Sequence, residues 1–158
     1  MEIQKLYDLD DTEFDNITIG LVRLAKHIPD HEFFFQVNQI NNGLKFKRIE
    51  DLILQGDYYD YSFPRFEAYH KFTRTCFTFV SNRSSESKQK KLQTELFSEE
   101  ENIKFLLNNQ VEVQYILHSS EQFPDFSVIL LPENLVFPIQ DYVLGSEEEL
   151  YQIIQYYE

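Results

Sequence analysis

The histidines His27 and His31 lie four residues apart, the spacing that presents two imidazoles to one zinc ion from a single helical face. Pro29 sits between them and disrupts that geometry, and the activating Glu and third ligand of a metalloprotease are missing, so no metal site is expected. The run Asp8, Asp10, Asp11, Glu13 and Asp15 invites calcium. A loop begun at Asp8 puts Glu13 where Gly is needed and Ile19 where a bidentate Glu is needed, so a solvated acidic turn is the better account. Cys76 is the single thiol, and His70 is a candidate base across a predicted hairpin; a strand thiol more often acts as a small hydrophobe. Gly20, Gly43, Gly56 and Gly145 are too scattered to cradle phosphate, and no Gly-x-Ser-x-Gly turn exists, so no cofactor is expected. Glu133 and Asp141 remain as a possible acid/base pair, provided their surroundings separate their roles. No catalytic residue is assigned, and a non-enzymatic protein is the preferred reading.

Charge narrows the partners. The chain of 158 residues carries a net charge of −13, and its last cation is Lys104; residues 105–158 hold nine carboxylates and no Lys or Arg. Residues 45–91 hold ten basic and six acidic side chains, a net +4. Such a balance disfavours nucleic acid and anionic lipid and favours a basic protein, because summed charge governs encounter more than fold. The one compact basic cluster, Lys88, Lys90 and Lys91, lacks neighbouring rings for base stacking and reads as a solubilising loop. One cysteine leaves no intrachain disulfide, the opening residues lack a leader pattern, and no apolar run is long enough to span a bilayer. A cytoplasmic protein without membrane attachment is expected.

These residues need a scaffold, and the hydrophobic pattern predicts a single α+β domain over residues 1–158. Fifteen Phe and ten Tyr supply core area. Strands are predicted at Lys5–Leu9, Ile17–Val22 and Leu44–Arg48, in a hairpin of Phe63–His70 and Thr73–Asn82, at Val111–Leu117, and at Phe126–Leu131 as a central strand. Pro64 argues that the first strand of this hairpin is at an edge or begins there. Helices are predicted from Pro29-Asp30, with Asp as cap, to a left-handed stop at Asn42-Gly43; after the capping box Ser98…Glu101, over Ile103, Leu106 and Leu107; and after Gly145–Glu149, over Leu150, Ile153, Ile154 and Tyr157. Arg83–Lys91 has nothing apolar to bury and reads as a mobile loop. The sum is a largely antiparallel sheet of about five to seven strands with two or three helices packed on one face.

Leu131-Pro132-Glu133, followed after seven residues by Asp141-Tyr142-Val143-Leu144, resembles the signature of the IPExxVDY family of small bacterial proteins. Lys5–Asp10, Ile17–Leu21, Phe33–Asn38 leading to Leu44–Arg48, and Cys76–Arg83 are similar to that family in order and content. The resemblance implies an intracellular single-domain bacterial protein and neither activity nor cofactor. Pro132, Glu133, Asp141 and Tyr142 are therefore the candidate partner-binding residues. A protein-binding or adaptor domain with an acidic surface is the leading expectation. A small hydrolase built on Glu133 and Asp141, or an immunity-type inhibitor of a basic protein, are the alternatives. The chain is expected as a monomer or a homodimer, with Tyr156 and Tyr157 as possible dimer contacts.

Overall fold

The computed structural model of the chain describes residues 16–90 and 102–157. Its elements are β1 (Ile17–Val22), α1 (Asp30–Ile40), β2 (Lys47–Gln55), β3 (Tyr59–His70), β4 (Thr75–Ser81), β5 (Glu86–Gln89), β6 (Tyr115–Ser119), a 3-10 turn at Phe126–Val128, β7 (Gln140–Leu144) and α2 (Glu149–Tyr157). Every strand pairing is antiparallel, the order across the sheet is β2-β3-β4-β6-β1-β7, and β5 adds beside the first part of β3. The described chain is thus an α+β structure on a seven-stranded antiparallel sheet. None of its helices is long and apolar enough to cross a membrane.

Period-two alternation divides the interior in two. On one face Phe66 and Ala68 of β3, Phe77 and Phe79 of β4, and Tyr115 and Leu117 of β6 meet Phe33, Phe34 and Val37 of α1. On the other, Ile19 and Leu21 of β1, Phe63 of β3, Ile116 of β6 and Leu144 of β7 meet Leu150 and Tyr151 of α2. Each face therefore receives one helix, where the sequence led us to expect the helices on a single face. The reason is that the second face also carries apolar residues, Ile19 and Leu21 of β1, Phe63 of β3, Ile116 of β6 and Leu144 of β7, and that patch would be left in water without α2.

Several local expectations change. The stretch expected as a mobile loop contains β5, which pairs Glu86–Gln89 with Tyr59–Ser62. Backbone hydrogen bonds alone add such a strand, so apolar side chains are not required, and Lys90 reinforces it with an ion pair to Asp60 at 3.3 Å. Pro64 lies within an interior strand. There the pairing of β3 passes from β5, ending at Ser62↔Glu86, to β4, beginning at Arg65↔Val80, and the register with β2 slips between Ile49 and Leu52. An irregular step of this kind tolerates a residue without an N–H.

Residues 102–110 form turns rather than the expected helix, although Leu106 and Leu107 are buried. The predicted strand at Lys5–Leu9, the acidic turn Asp8–Asp15 and the Ser98…Glu101 capping box lie outside the described residues. Helix α1 ends at Asn41 in extended backbone without a left-handed glycine, and Asp30 does not cap it: its carboxylate accepts from the Tyr115 hydroxyl. Burial, then that contact with Asp30, raises the Tyr115 pKa.

The segment Phe126–Leu131 is not a strand. Its backbone is satisfied by a side chain instead: the buried Asn41 amide donates to Leu130 O at 2.7 Å and accepts from Leu130 N at 2.9 Å, while also donating to Val37 O. One side chain thus does the work of a neighbouring strand. Asn82 acts similarly, bonding Leu107 N, Gln110 O and Val113 O to hold the approach to β6.

Replacing Asn41 by Ala strands buried polar groups of Leu130 and Val37, so Asn41→Ala is expected to lower unfolding stability by about 2 to 3 kcal/mol. The adjacent exposed Asn42→Ala should stay within about 0.5 kcal/mol. Urea denaturation of both variants checks this, and equal midpoints would show that the Asn41 tie carries no stability.

Candidate functional site

Three of the nine C-terminal carboxylates, Asp125, Glu133 and Asp141, converge on one depression of about 640 Å³ beside β7. Its apolar lining includes Phe126, Ile129, Leu131, Val136, Phe137 and Ile139, and no described Lys, Arg or His lines it. Each acid is placed by a different device. Asp125 caps the 3-10 turn, accepting from Ser127 N at 3.0 Å and Ser127 Oγ at 2.5 Å. Those bonds hold its carboxyl below the usual range, so it remains an anion in mildly acidic solution. Glu133 projects from a turn in which the Pro132 carbonyl accepts from both Leu135 N and Val136 N at 3.0 Å. That turn is fastened to the chain leaving β1 by Ala25 N→Leu135 O, Phe137 N→Arg23 O and the Leu24↔Val136 bridge. Asp141 lies on β7 opposite Gly20.

Gly20 is a close-approach position. A Cβ there would come within 2.8 Å of Ile139 Cγ2 and 3.2 Å of Phe126, both in the lining of the depression, so the missing side chain lets these residues settle on the sheet.

The structure separates the candidate residues. Glu133 and Asp141 share the depression, both exposed; Pro132 supplies the turn beneath Glu133. Tyr142, next to Asp141 on β7, points to the other face of the sheet, packs with the α2 cluster and donates to Glu148 at 2.9 Å. That bond is the main reason its pKa is raised. Glu148 also accepts from Gly145 N at 2.8 Å, so the Tyr142 link fixes the start of α2. Tyr142 is structural in this arrangement.

The C-terminal carboxylates do not form an uninterrupted anionic exterior. Arg23 pairs with Glu112 at 3.1 Å and donates to Gln140, Lys104 pairs with Glu149 at 3.6 Å, and Glu121 accepts from Thr75. Among the described residues, the depression holding Asp125, Glu133 and Asp141 has no lining cation to offset them.

His27 and His31 are both exposed, and no group of three His, Cys, Asp or Glu side chains among the described residues could hold a metal ion. His70 pairs with Thr75 while Cys76 pairs with Tyr69, so adjacent register puts His70 and Cys76 on opposite faces and ends the thiol–imidazole reading of that pair. Cys76 instead lines a slot of about 320 Å³ between the sheet and α2, together with Arg65, Glu67, His118, Leu150 and Ile153. Sequence reasoning missed this slot, since its polar side chains come from three strands and only their pairing brings them together. Desolvation, followed by the charge and hydrogen bond of Glu67, pushes the Cys76 thiol up to about 11. A thiol so held is a poor nucleophile. A larger polar cleft of about 1070 Å³, with Asp30 and Tyr115 at its wall, opens where β3 changes partners at Pro64.

Comparison with known proteins finds no matching family, no matching curated protein and no matching solved structure.

The Cys76 environment makes a measurable statement. A rise from 9.0 to about 11 lowers the thiolate fraction at pH 8 by about a hundredfold, so alkylation by iodoacetamide should be slower than that of a free cysteine by a comparable factor. Glu67→Gln removes the carboxylate and should speed the reaction and move its midpoint to lower pH. A rate equal to that of free cysteine would refute the assignment.

Proposed function

We propose that the protein is a non-catalytic binding or adaptor module that seats a cationic, partly apolar segment of a partner protein in the depression formed by Asp125, Glu133 and Asp141. The observation that carries this reading is the combination of three carboxylates with an apolar floor and no lining cation. A Lys or Arg side chain presents a charged head on a methylene stem, which suits acids above and Leu131, Phe137 and Ile139 below. Acids on the rim steer encounter and select the sign of the partner, while the apolar floor contributes area. The segment resembling the IPExxVDY signature lines this depression from both ends, Leu131 and Glu133 on one side and Asp141 on the other, with Pro132 in the turn that carries Glu133. A bacterial, cytoplasmic location belongs to the same proposal.

A small hydrolase with Glu133 and Asp141 as acid and base is the second reading, favoured by their sharing one depression. Against it, both carboxylates are exposed to water.

The test is fluorescence anisotropy with a labelled peptide rich in Lys and Leu. Binding should weaken steadily as salt rises, and the isosteric triple variant Asp125→Asn, Glu133→Gln, Asp141→Asn should bind at least about tenfold less tightly. Unchanged affinity in the triple variant, with its circular dichroism intact, would remove the depression from the mechanism.

A further inference from the structure

At one end of the sheet a second surface has the opposite character. The turn joining β3 to β4 carries Lys71, Phe72 and Arg74, and the Phe72 side chain is 93% exposed. Beside it the loop after β6 presents Phe123, 80% exposed. The two are fastened together: Thr75 Oγ1 donates to Glu121 Oε1 at 2.6 Å, Ser120 N donates to Cys76 O at 2.9 Å, and Cys76 N donates to Ser120 Oγ at 2.9 Å. The turn is also braced internally by His70 Nδ1 and Thr73 Oγ1 at 2.9 Å. These large apolar side chains are therefore held out in water by an ordered turn.

Arg74 has a φ of 56°, the only non-glycine positive φ among the described residues. Gly or Asn is the low-cost residue at such a position in a hairpin turn. An Arg accepted there keeps a guanidinium-bearing side chain on the same turn as Phe72 at a backbone cost, and such costs recur where a side chain is used.

We infer that this cationic aromatic knob is the partner of the acidic depression on a second copy of the chain. Phe72 would enter the apolar floor, and Lys71 and Arg74 would meet Asp125, Glu133 and Asp141 on the rim. The inference rests on the proposed function, since it names the cationic segment that the depression takes. Two features of the chain favour a second copy over an anionic bilayer: the net charge of −13, which opposes approach to anionic lipid, and Asp125, which lies two residues from Phe123. The exposed turn displays two cations, Lys71 and Arg74, with Glu121 tied to Thr75 at its base, while the depression displays three carboxylates, and both belong to the same sequence. Phe123, Pro124 and Asp125 join the two patches along one loop, so a two-fold dimer would make both contacts at once. Repulsion between the remaining carboxylates of two copies is screened beyond about 8 Å at physiological salt, which leaves the contact charges to decide.

Charge exchange tests this better than salt, because salt weakens both the contact and the overall repulsion. Variant one carries Lys71→Glu and Arg74→Glu; variant two carries Glu133→Lys and Asp141→Lys. By sedimentation velocity the wild-type chain should form dimers, each variant alone should be monomeric, and the two mixed should form a heterodimer. Phe72→Ala, at a position too exposed to matter for folding, should weaken self-association by at least about tenfold. A wild-type chain that stays monomeric at millimolar concentration, or dimers indifferent to all these changes, would overturn the inference. If that monomer still binds the Lys- and Leu-rich peptide in a manner lost in the triple variant, the proposed function stands without it. Wild-type co-sedimentation with vesicles of phosphatidylserine and phosphatidylcholine, lost in Phe72→Ala while the chain in solution stays monomeric, would assign the knob to lipid and likewise overturn it.

Discussion

The fold depends on the packing of Phe33 and Phe34 against the rings of the sheet. Phe79 stands at the centre, edge-on to Phe34 at 5.2 Å, to Phe46 at 4.9 Å and to Tyr115 at 5.9 Å. Phe34 stacks on Phe66 at 3.9 Å and Phe33 on Tyr115 at 5.1 Å. These rings come from α1, the chain leading into β2, and strands β3, β4 and β6, so one cluster fixes the position of the helix over the middle of the sheet. Offset and edge-to-face contacts are directional as well as hydrophobic, and they leave the helix little freedom to slide. Once α1 is placed, its end at Asn41 is placed too, and with it the segment that Asn41 holds through Leu130.

From that tie the site follows. The chain from Asp125 to Ile139 has little regular structure, yet it forms the lining of the depression. Asn41 fixes its middle, the bonds of Leu135 and Phe137 to the chain after β1 fix its end, and Gly20 allows Ile139 and Phe126 to approach the sheet. Irregular backbone is tolerated in a covered position only where its polar groups find partners, and here side-chain amides and a strand exit supply them. Asp125 and Glu133 are thus carried on a segment whose backbone is tied down at both its middle and its end, and Asp141 on β7 itself.

Charge is arranged by the same economy. The basic residues are not spread evenly over the acidic regions. Arg23 and Lys104 neutralise Glu112 and Glu149, and Lys90 serves Asp60, while Lys71 and Arg74 are displayed on a turn. Among the described residues the outcome is an acidic concavity and a turn that displays two cations, a pattern that bears on recognition more than net charge does.

Alternation of side chains made much of the sheet legible: Ile17–Val22, the β3–β4 hairpin and the closing helix with Leu150, Ile153 and Ile154 follow from period two and period 3.6, and the net acidity follows from composition. What the sequence could not disclose depended on partners distant along the chain. Arg83–Lys91 looked unfit for a strand because strand formation at β5 draws on the backbone of β3 rather than on its own side chains. Phe126–Leu131 looked like a strand because apolar runs suit both strands and covered irregular chain, and Asn41, 89 residues away, decided between them. The helices went to opposite faces because burial on both sides of the sheet demands it, a condition that no single segment contains. In the same way Glu133 and Asp141 were visible as acids, while their meeting with Asp125 came from the ties of the Asp125–Ile139 segment together with the register of β7 on β1, which also turns Tyr142 to the far side.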